Sequence, residues 1–373
     1  MKGRNQSTAI EFILLGFSGL SNLPVLLFVL VLITYMIILL GNALIVLITL
    51  ADPALHTPMY FFLRNLSFLE ICYTSVTIPE MLINLLTGEK TISFSSCAAQ
   101  MYFLISLGGT ECCLLALMAY DRYVAICRPL SYTAIMNKGV CMQLVGIAWL
   151  SSSLVTLMHV TWVFNLPFCP SNEIDHFFCD APPVLELVCG NTYMIEIEAL
   201  TSTVLFVVIP FALILWSYIC ILSTILKMPS AEGRRKTFST CSSHLTVVVL
   251  LFSTAGLTYF QPKSSSSPST SKFLSLCYTI LTPLLNPVVY SLRNNEMKGA
   301  LRRLHARELL WWTGRPNVKD KAGSQNFVIS LLFESQRYET KAAIPRDYSW
   351  ICPERHFELP DYYISVIFRN HRW

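Results

Sequence analysis

The stretch LPVLLFVLVLITYMIILLGNALIVLITL, Leu23 to Leu50, carries no charged residue. About 20 consecutive apolar residues suffice to cross the hydrocarbon core of a bilayer, whereas runs of about 10–14 read as buried helices of soluble domains. Six more such runs follow, separated by polar or basic punctuation: approximately Met59 to Leu86, Cys97 to Tyr120, Val140 to Val160, Ile197 to Leu226, Phe238 to Tyr259 and Phe273 to Leu292. Backbone groups in lipid must be satisfied within their own segment, so each run is predicted to be a helix. The fold class is therefore an all-α integral membrane protein, a bundle of seven transmembrane helices.

Composition agrees. The chain of 373 residues is 54% apolar and 13% charged, against roughly 25% charged for a soluble domain, which excludes an ordinary water-soluble globule. Residues 1–305 hold 17 Lys+Arg and 15 Asp+Glu, whereas residues 306–373 hold 10 and 8. A charge-poor part thus joins a segment of ordinary soluble charge near position 305. A net charge of +4 is too small and diffuse to argue for a nucleic-acid partner.

Orientation follows from the basic residues of the connecting segments. With the amino terminus outside, Arg64, Arg122, Arg128, Lys138, Lys227, Arg234, Arg235, Lys236, Arg293, Lys298, Arg302 and Arg303 face inward, and Lys2, Arg4, Lys90, Lys263 and Lys272 face outward. The first apolar run is too long for a cleavable signal core and reads as a signal anchor. Asn5-Gln6-Ser7 is then an N-glycosylation acceptor on the correct side. Cys97, Cys169, Cys179 and Cys189 fall outside, where disulfides form. Four cysteines allow three pairings, and their spacing chooses none. The stretch Thr161 to Glu196, which holds three of them and no Lys or Arg, reads as a stapled lid over the bundle mouth.

Six motifs identify the bundle: LLGNALIV in the first span, LHTPMYFFLRNLSFLE from Leu55, MAYDRYVAIC at Met118–Cys127, HFFCD at His176–Asp180, KTFSTCSSHL from Lys236, and PLLNPVVY at Pro283–Tyr290. In this order they resemble the vertebrate olfactory (odorant) receptors, rhodopsin-like G protein-coupled receptors, over about residues 8 to 305. The resemblance implies a plasma-membrane receptor, in the ciliary membrane of olfactory neurons, that binds a small volatile odorant and activates a stimulatory heterotrimeric G protein to raise cAMP. It also implies the pairings Cys97 to Cys179 and Cys169 to Cys189.

The resemblance assigns roles residue by residue. Asp121, Arg122 and Tyr123 form the coupling motif, with the carboxylate expected to hold the guanidinium at rest. Asn286, Pro287 and Tyr290 form a second switch in a helix that proline weakens, with Tyr218 as polar partner from the fifth span. Ligand contacts fall on Met101, Leu104, Ile105, Gly108, Ser202, Thr203, Phe206, Phe252, Ala255, Gly256, Tyr259, Leu276 and Thr279, a mainly apolar wall with a few hydroxyls that suits a small, weakly polar molecule. Phe252 departs from the tyrosine usual in the family. Ionisable groups inside a membrane need partners: Asn42, Glu70, Glu111 and Asn286 surround a sodium ion or share a proton, or else one neutral carboxyl is simply hydrogen-bonded. No other cofactor or metal is expected, although His176 and Cys179 have metal-like spacing.

Residues 293–305 read as a short amphipathic eighth helix, with Met297, Leu301 and Leu304 as its apolar stripe beside Lys298, Arg302 and Arg303. Residues 1–22 read as an extracellular amino-terminal segment, 23–292 as the receptor bundle and 306–373 as an atypical cytoplasmic tail with no family counterpart: an alternative exon, a readthrough or a gene-model error. Two other readings remain, a receptor fold that does not signal and a transporter, although the inverted repeat of a transporter is not evident. No nucleophile and base pair suggests an enzyme.

Overall fold

The computed structural model describes residues 11–16, 24–87, 91–259, 268–292 and 296–304, apart from some side chains near the ends of the sixth and seventh helices. Asn5 and the segment 306–373 lie outside the described residues.

Among the described residues, seven long helices follow one another. They are Pro24–Ala51, Pro58–Thr87, Phe94–Cys127, Lys138–Phe164, Tyr193–Lys227, Ala231–Tyr259, and a seventh built of Pro268–Leu276, Cys277–Leu281, Thr282–Pro287 and Val288–Leu292. Six are long and apolar enough to cross a membrane; in the sixth helix the apolar part is the shorter stretch Cys241–Thr254, since its inner half carries Glu232, Arg234 and Arg235. Leu26, Leu40 and Leu47 of the first helix are more than half exposed, as expected where the solvent is lipid and a helix is apolar all round.

The helices outrun the apolar runs because polar caps extend them into the aqueous layers. Ser93 Oγ accepts from Ser96 N at 3.2 Å to open the third helix, and Asn137 Oδ1 accepts from Val140 N at 3.0 Å to open the fourth. Asp52 Oδ1 accepts from Ala54 N at 3.0 Å to start the short turn Pro53–Leu55 between the first two helices. The five-residue segments Val204–Val208, Cys277–Leu281 and Val288–Leu292 are wound as π-helix, a form that often marks functional positions.

The outer end is not purely helical. Glu11–Leu14 (β1) pairs antiparallel with Thr91–Ser93 (β2) and parallel with Glu173–Ile174 (β3). Phe12 and Leu14 point inward on alternate positions and are almost completely buried, Phe12 against Phe94 and Phe168 at 5.9 and 5.5 Å between ring centroids. The amino-terminal segment is thus, over residues 11–16, part of the lid rather than an independent strand of chain. A Cβ on Gly16 would lie 2.8 Å from the backbone of Phe177, so only glycine permits that approach. Cys97 bonds Cys179, tying the lid to the third helix, and Cys169 bonds Cys189, closing the lid on itself.

A helix over 296–304 follows the seventh. Met297 and Ala300 are buried and Leu304 packs on the same cluster, while Leu301 is 44% exposed. Arg303 does not point to headgroups alone: its Nε and Nη2 donate to Asp52 Oδ2 at 2.9 and 2.6 Å, and Tyr60 Oη donates to Glu296 Oε2 at 2.7 Å. The short helix is docked on the inner turn.

Candidate ligand pocket and signalling core

The bundle is polar at three levels. At the outer level, His176 of the lid shares hydrogen bonds through Nδ1 with Phe178 O at 3.1 Å and through Nε2 with Ser275 Oγ of the seventh helix at 2.8 Å. Tyr278 Oη donates to Asp180 Oδ2 at 2.9 Å, and Gln100 Oε1 accepts from Cys179 N at 2.8 Å. Burial holds the His176 imidazole below its ordinary basicity; Asp180 opposes that shift in part. Cys179 is spent in its disulfide, so it is no thiolate ligand for a metal beside His176.

Below the lid, the expected ligand contacts divide. Met101, Leu104 and Thr279 are fully or almost fully buried in protein contacts, whereas Ile105, Gly108, Ser202, Thr203, Phe206, Gly256 and Leu276 are partly open. A Cβ built on Gly108 or on Gly256 meets nothing within 4 Å, so the third and sixth helices each leave room there. Phe252 is buried, its ring 5.0 Å from that of Phe211. The side chains of Ala255 and Tyr259 lie outside those described. Ser202 Oγ donates to Glu198 Oε1 at 2.7 Å, Thr203 Oγ1 to Ala199 O at 2.8 Å and Thr279 Oγ1 to Ser275 O at 2.6 Å. Glu198 also meets His159 Nδ1 of the fourth helix through Oε2. Neither Glu198 nor His159 stood out in the sequence reading, although an ionisable residue within a span is a signal that could have found both.

At mid-depth, Asn42, Glu70, Glu111 and Asn286 are buried together. Asn286 Nδ2 donates to Glu70 Oε1, and the Glu70 and Glu111 carboxyls lie within hydrogen-bonding reach of each other. Asn42 Nδ2 donates to Ile38 O at 3.0 Å and to Pro283 O at 3.3 Å. The second bond has a covalent cause: Pro287 has no N–H to offer the carbonyl four residues earlier, and that carbonyl is Pro283. Asn42 Oδ1, Glu70 Oε2, Glu111 Oε1 and Asn286 Oδ1 face no donor among the described residues. The Glu70, Glu111 and Asn286 oxygens lie on mutually interacting buried side chains, and with Asn42 Oδ1 they form a donor set whose chemistry fits a hard cation or a shared proton.

At the inner end the Arg122 charge still acts on Asp121, but the carboxylate's hydrogen bond goes to another group. Asp121 Oδ1 accepts from Tyr132 Oη at 2.9 Å, because Tyr132–Ile135 forms a helical turn that returns to the end of the third helix. Burial, and then the Asp121 charge, push the Tyr132 hydroxyl up, so it stays a donor. Arg122 Nε has no partner among the described residues. Tyr218 Oη bonds His244 Nδ1 of the sixth helix at 2.8 Å rather than serving Tyr290, whose buried hydroxyl has no partner among the described residues. Tyr123 packs on Trp216 with ring centroids 4.8 Å apart. His244 lies inside the quoted KTFSTCSSHL motif; only the fold reveals that it bridges to the fifth helix.

The comparisons agree with this architecture. Residues 30–308 match the family described as "Olfactory receptor". The chain is similar to human olfactory receptor 10A3, 55% identical over 313 residues that cover 84% of this chain and 100% of that protein. It is 56% identical to human olfactory receptor 10A4 over 310 residues, 83% of this chain and 98% of that one. The seven-helix chain belongs to the olfactory receptor family of G protein-coupled receptors, multi-pass plasma-membrane proteins without enzymatic activity.

Proposed function

We propose that this receptor binds a small, mainly apolar odorant in the outer half of the bundle, between the third, fifth, sixth and seventh helices, and activates a stimulatory olfactory-type G protein that raises cAMP. The room left beside Gly108 of the third helix and Gly256 of the sixth, in a bundle whose outer end is tied by a disulfide, supports the ligand site. The observation that carries the coupling is at the inner end: Asp121 is engaged by Tyr132 while Arg122 Nε is uncommitted, leaving a guanidinium for a carboxyl-terminal helix of the G protein α subunit.

Between the two, Asn42, Glu70, Glu111 and Asn286 bias the resting state. Two carboxyls in contact are best shared by one proton, which leaves one negative charge that a sodium ion would neutralise. Either occupant draws the second, third and seventh helices together above Tyr290. Release of that hold frees the seventh helix to move.

Transfected cells given a broad odorant panel should show ligand-dependent cAMP, lost in Arg122→Ala at equal surface delivery. Glu70→Gln and Glu111→Gln should each change basal cAMP by several-fold. Silence across the panel despite surface delivery would make this a receptor fold that does not signal, and basal cAMP indifferent to both Gln variants would remove the proton or sodium role.

A further inference from the structure

A hydroxyl has one proton and two acceptor lone pairs, so where its proton goes decides what it offers a ligand. At the fourth and fifth helices that decision is made by Glu198. Its Oε2 sits on His159 Nδ1, and its Oε1 accepts from Ser202 Oγ at 2.7 Å. Both side chains are largely withdrawn from the surface, 7% exposed for His159 and 10% for Glu198. The exchangeable proton of the pair lies on the Nδ1–Oε2 edge whether imidazole or carboxyl holds it. Oε1 is therefore an acceptor, and Ser202 has no proton left for a ligand.

The other described hydroxyls of the wall are committed likewise, Thr203 to Ala199 O and Thr279 to Ser275 O. Those two are ordinary back-bonds to the preceding helical turn. The Ser202 bond differs, because hydrogen bonds to a carboxylate are roughly twice as strong as neutral ones. We propose that Glu198, acting through Ser202, makes the pocket select ligands that donate a hydrogen bond, such as alcohols and phenols, over acceptor-only molecules of the same shape, such as aldehydes, ketones and ethers. An alcohol finds a lone pair on Ser202; an aldehyde would bury its carbonyl against oxygen, and a site built around one hydrogen-bond polarity discriminates against the other. Glu198 is a positioning residue here, and Ser202 the group that touches ligand. The inference rests on the ligand site proposed above.

The test uses the full-length receptor in cells, with cAMP normalised to surface delivery. The probes are matched alcohols, aldehydes and methyl ethers on straight-chain and phenyl-substituted skeletons. Alcohols should be more potent than their aldehydes by about tenfold, the equivalent of one good hydrogen bond. Ser202→Ala, which leaves the His159–Glu198 pair intact, should bring the ratio to about one. Glu198→Ala frees the Ser202 proton and should shift preference toward aldehydes. Aldehydes equal to or ahead of alcohols in the unaltered receptor would overturn the inference, as would an alcohol preference that survives Ser202→Ala or one abolished by Tyr259→Phe with Ser202 in place. Gly108→Val separates the two levels: it should weaken every response, and responses untouched by it overturn the ligand site itself, and this inference with it.

Discussion

His176 is held neutral by burial in a lid that also presents Asp175 and Asp180, against Lys272, Ser275 and Tyr278 of the seventh helix. Its folded-state basicity lies below the unfolded value of 6.5. The folded state therefore binds fewer protons than the unfolded one near that pH, and stability is present above 6.5 and lost as pH falls toward the folded value. His176→Asn should lower the melting temperature of purified receptor at pH above neutrality, by the equivalent of about 1 kcal/mol for the Ser275 hydrogen bond. The gap between variant and parent should narrow below about pH 6.5. A gap that is constant with pH would show that this imidazole is not the titrating group. At this scale the sequence was informative about which residues are chemically costly in lipid and poor about their partners: Asp121, Arg122, Tyr218 and Glu70 stood out at once, but Tyr132 and His244, which engage two of them, did not.

Among the elements, the contact between the first and seventh helices depends on Gly41. A Cβ there would sit 2.9 Å from Pro287 Cβ and 3.0 Å from its Cγ, and both sides are rigid, one a helix backbone and the other a proline ring. Gly41→Val should cost about 1–3 kcal/mol through overpacking, read as a lowered melting temperature and reduced surface delivery. Pro287→Ala in the same chain should recover part of the loss; no recovery would place the clash elsewhere. The same contact brings Asn42, the next residue, to the Pro283 carbonyl that Pro287 leaves unpaired. The motif spacing made the weakened seventh helix legible. Its repair by a side chain of the first helix was not, because the partners are 241 residues apart.

Across the whole molecule, polar closure is concentrated at the two ends and in a thin interior column, with apolar contact between. The outer end is closed by the β1–β3 sheet and two disulfides, the inner end by the Asp52–Arg303 and Tyr60–Glu296 contacts. The disulfides span 82 and 20 residues. Loop-closure entropy makes the longer one worth about 1 kcal/mol more, and of the two disulfides it is the one that ties the lid covalently to the third helix. Cys97→Ser should therefore reduce surface delivery and stability more than Cys169→Ser, measured by flow cytometry and melting temperature. Equal losses would mean that the lid holds without its tether.

The sequence by itself determined the seven spans, their orientation and the family. Each of these rests on local quantities: whether about 20 residues can satisfy their own backbone in lipid, on which side basic residues accumulate, and short ordered motifs. The tertiary structure decided the rest: that residues 11–14 are a strand, that Asp121 accepts from Tyr132, that Glu198 accepts from Ser202, and that Asn286 of the seventh helix donates to Glu70 of the second. The physical reason is that hydrogen-bond polarity belongs to pairs. A side chain's type states what it can donate or accept, and only the fold brings Glu70 to an asparagine 216 residues away.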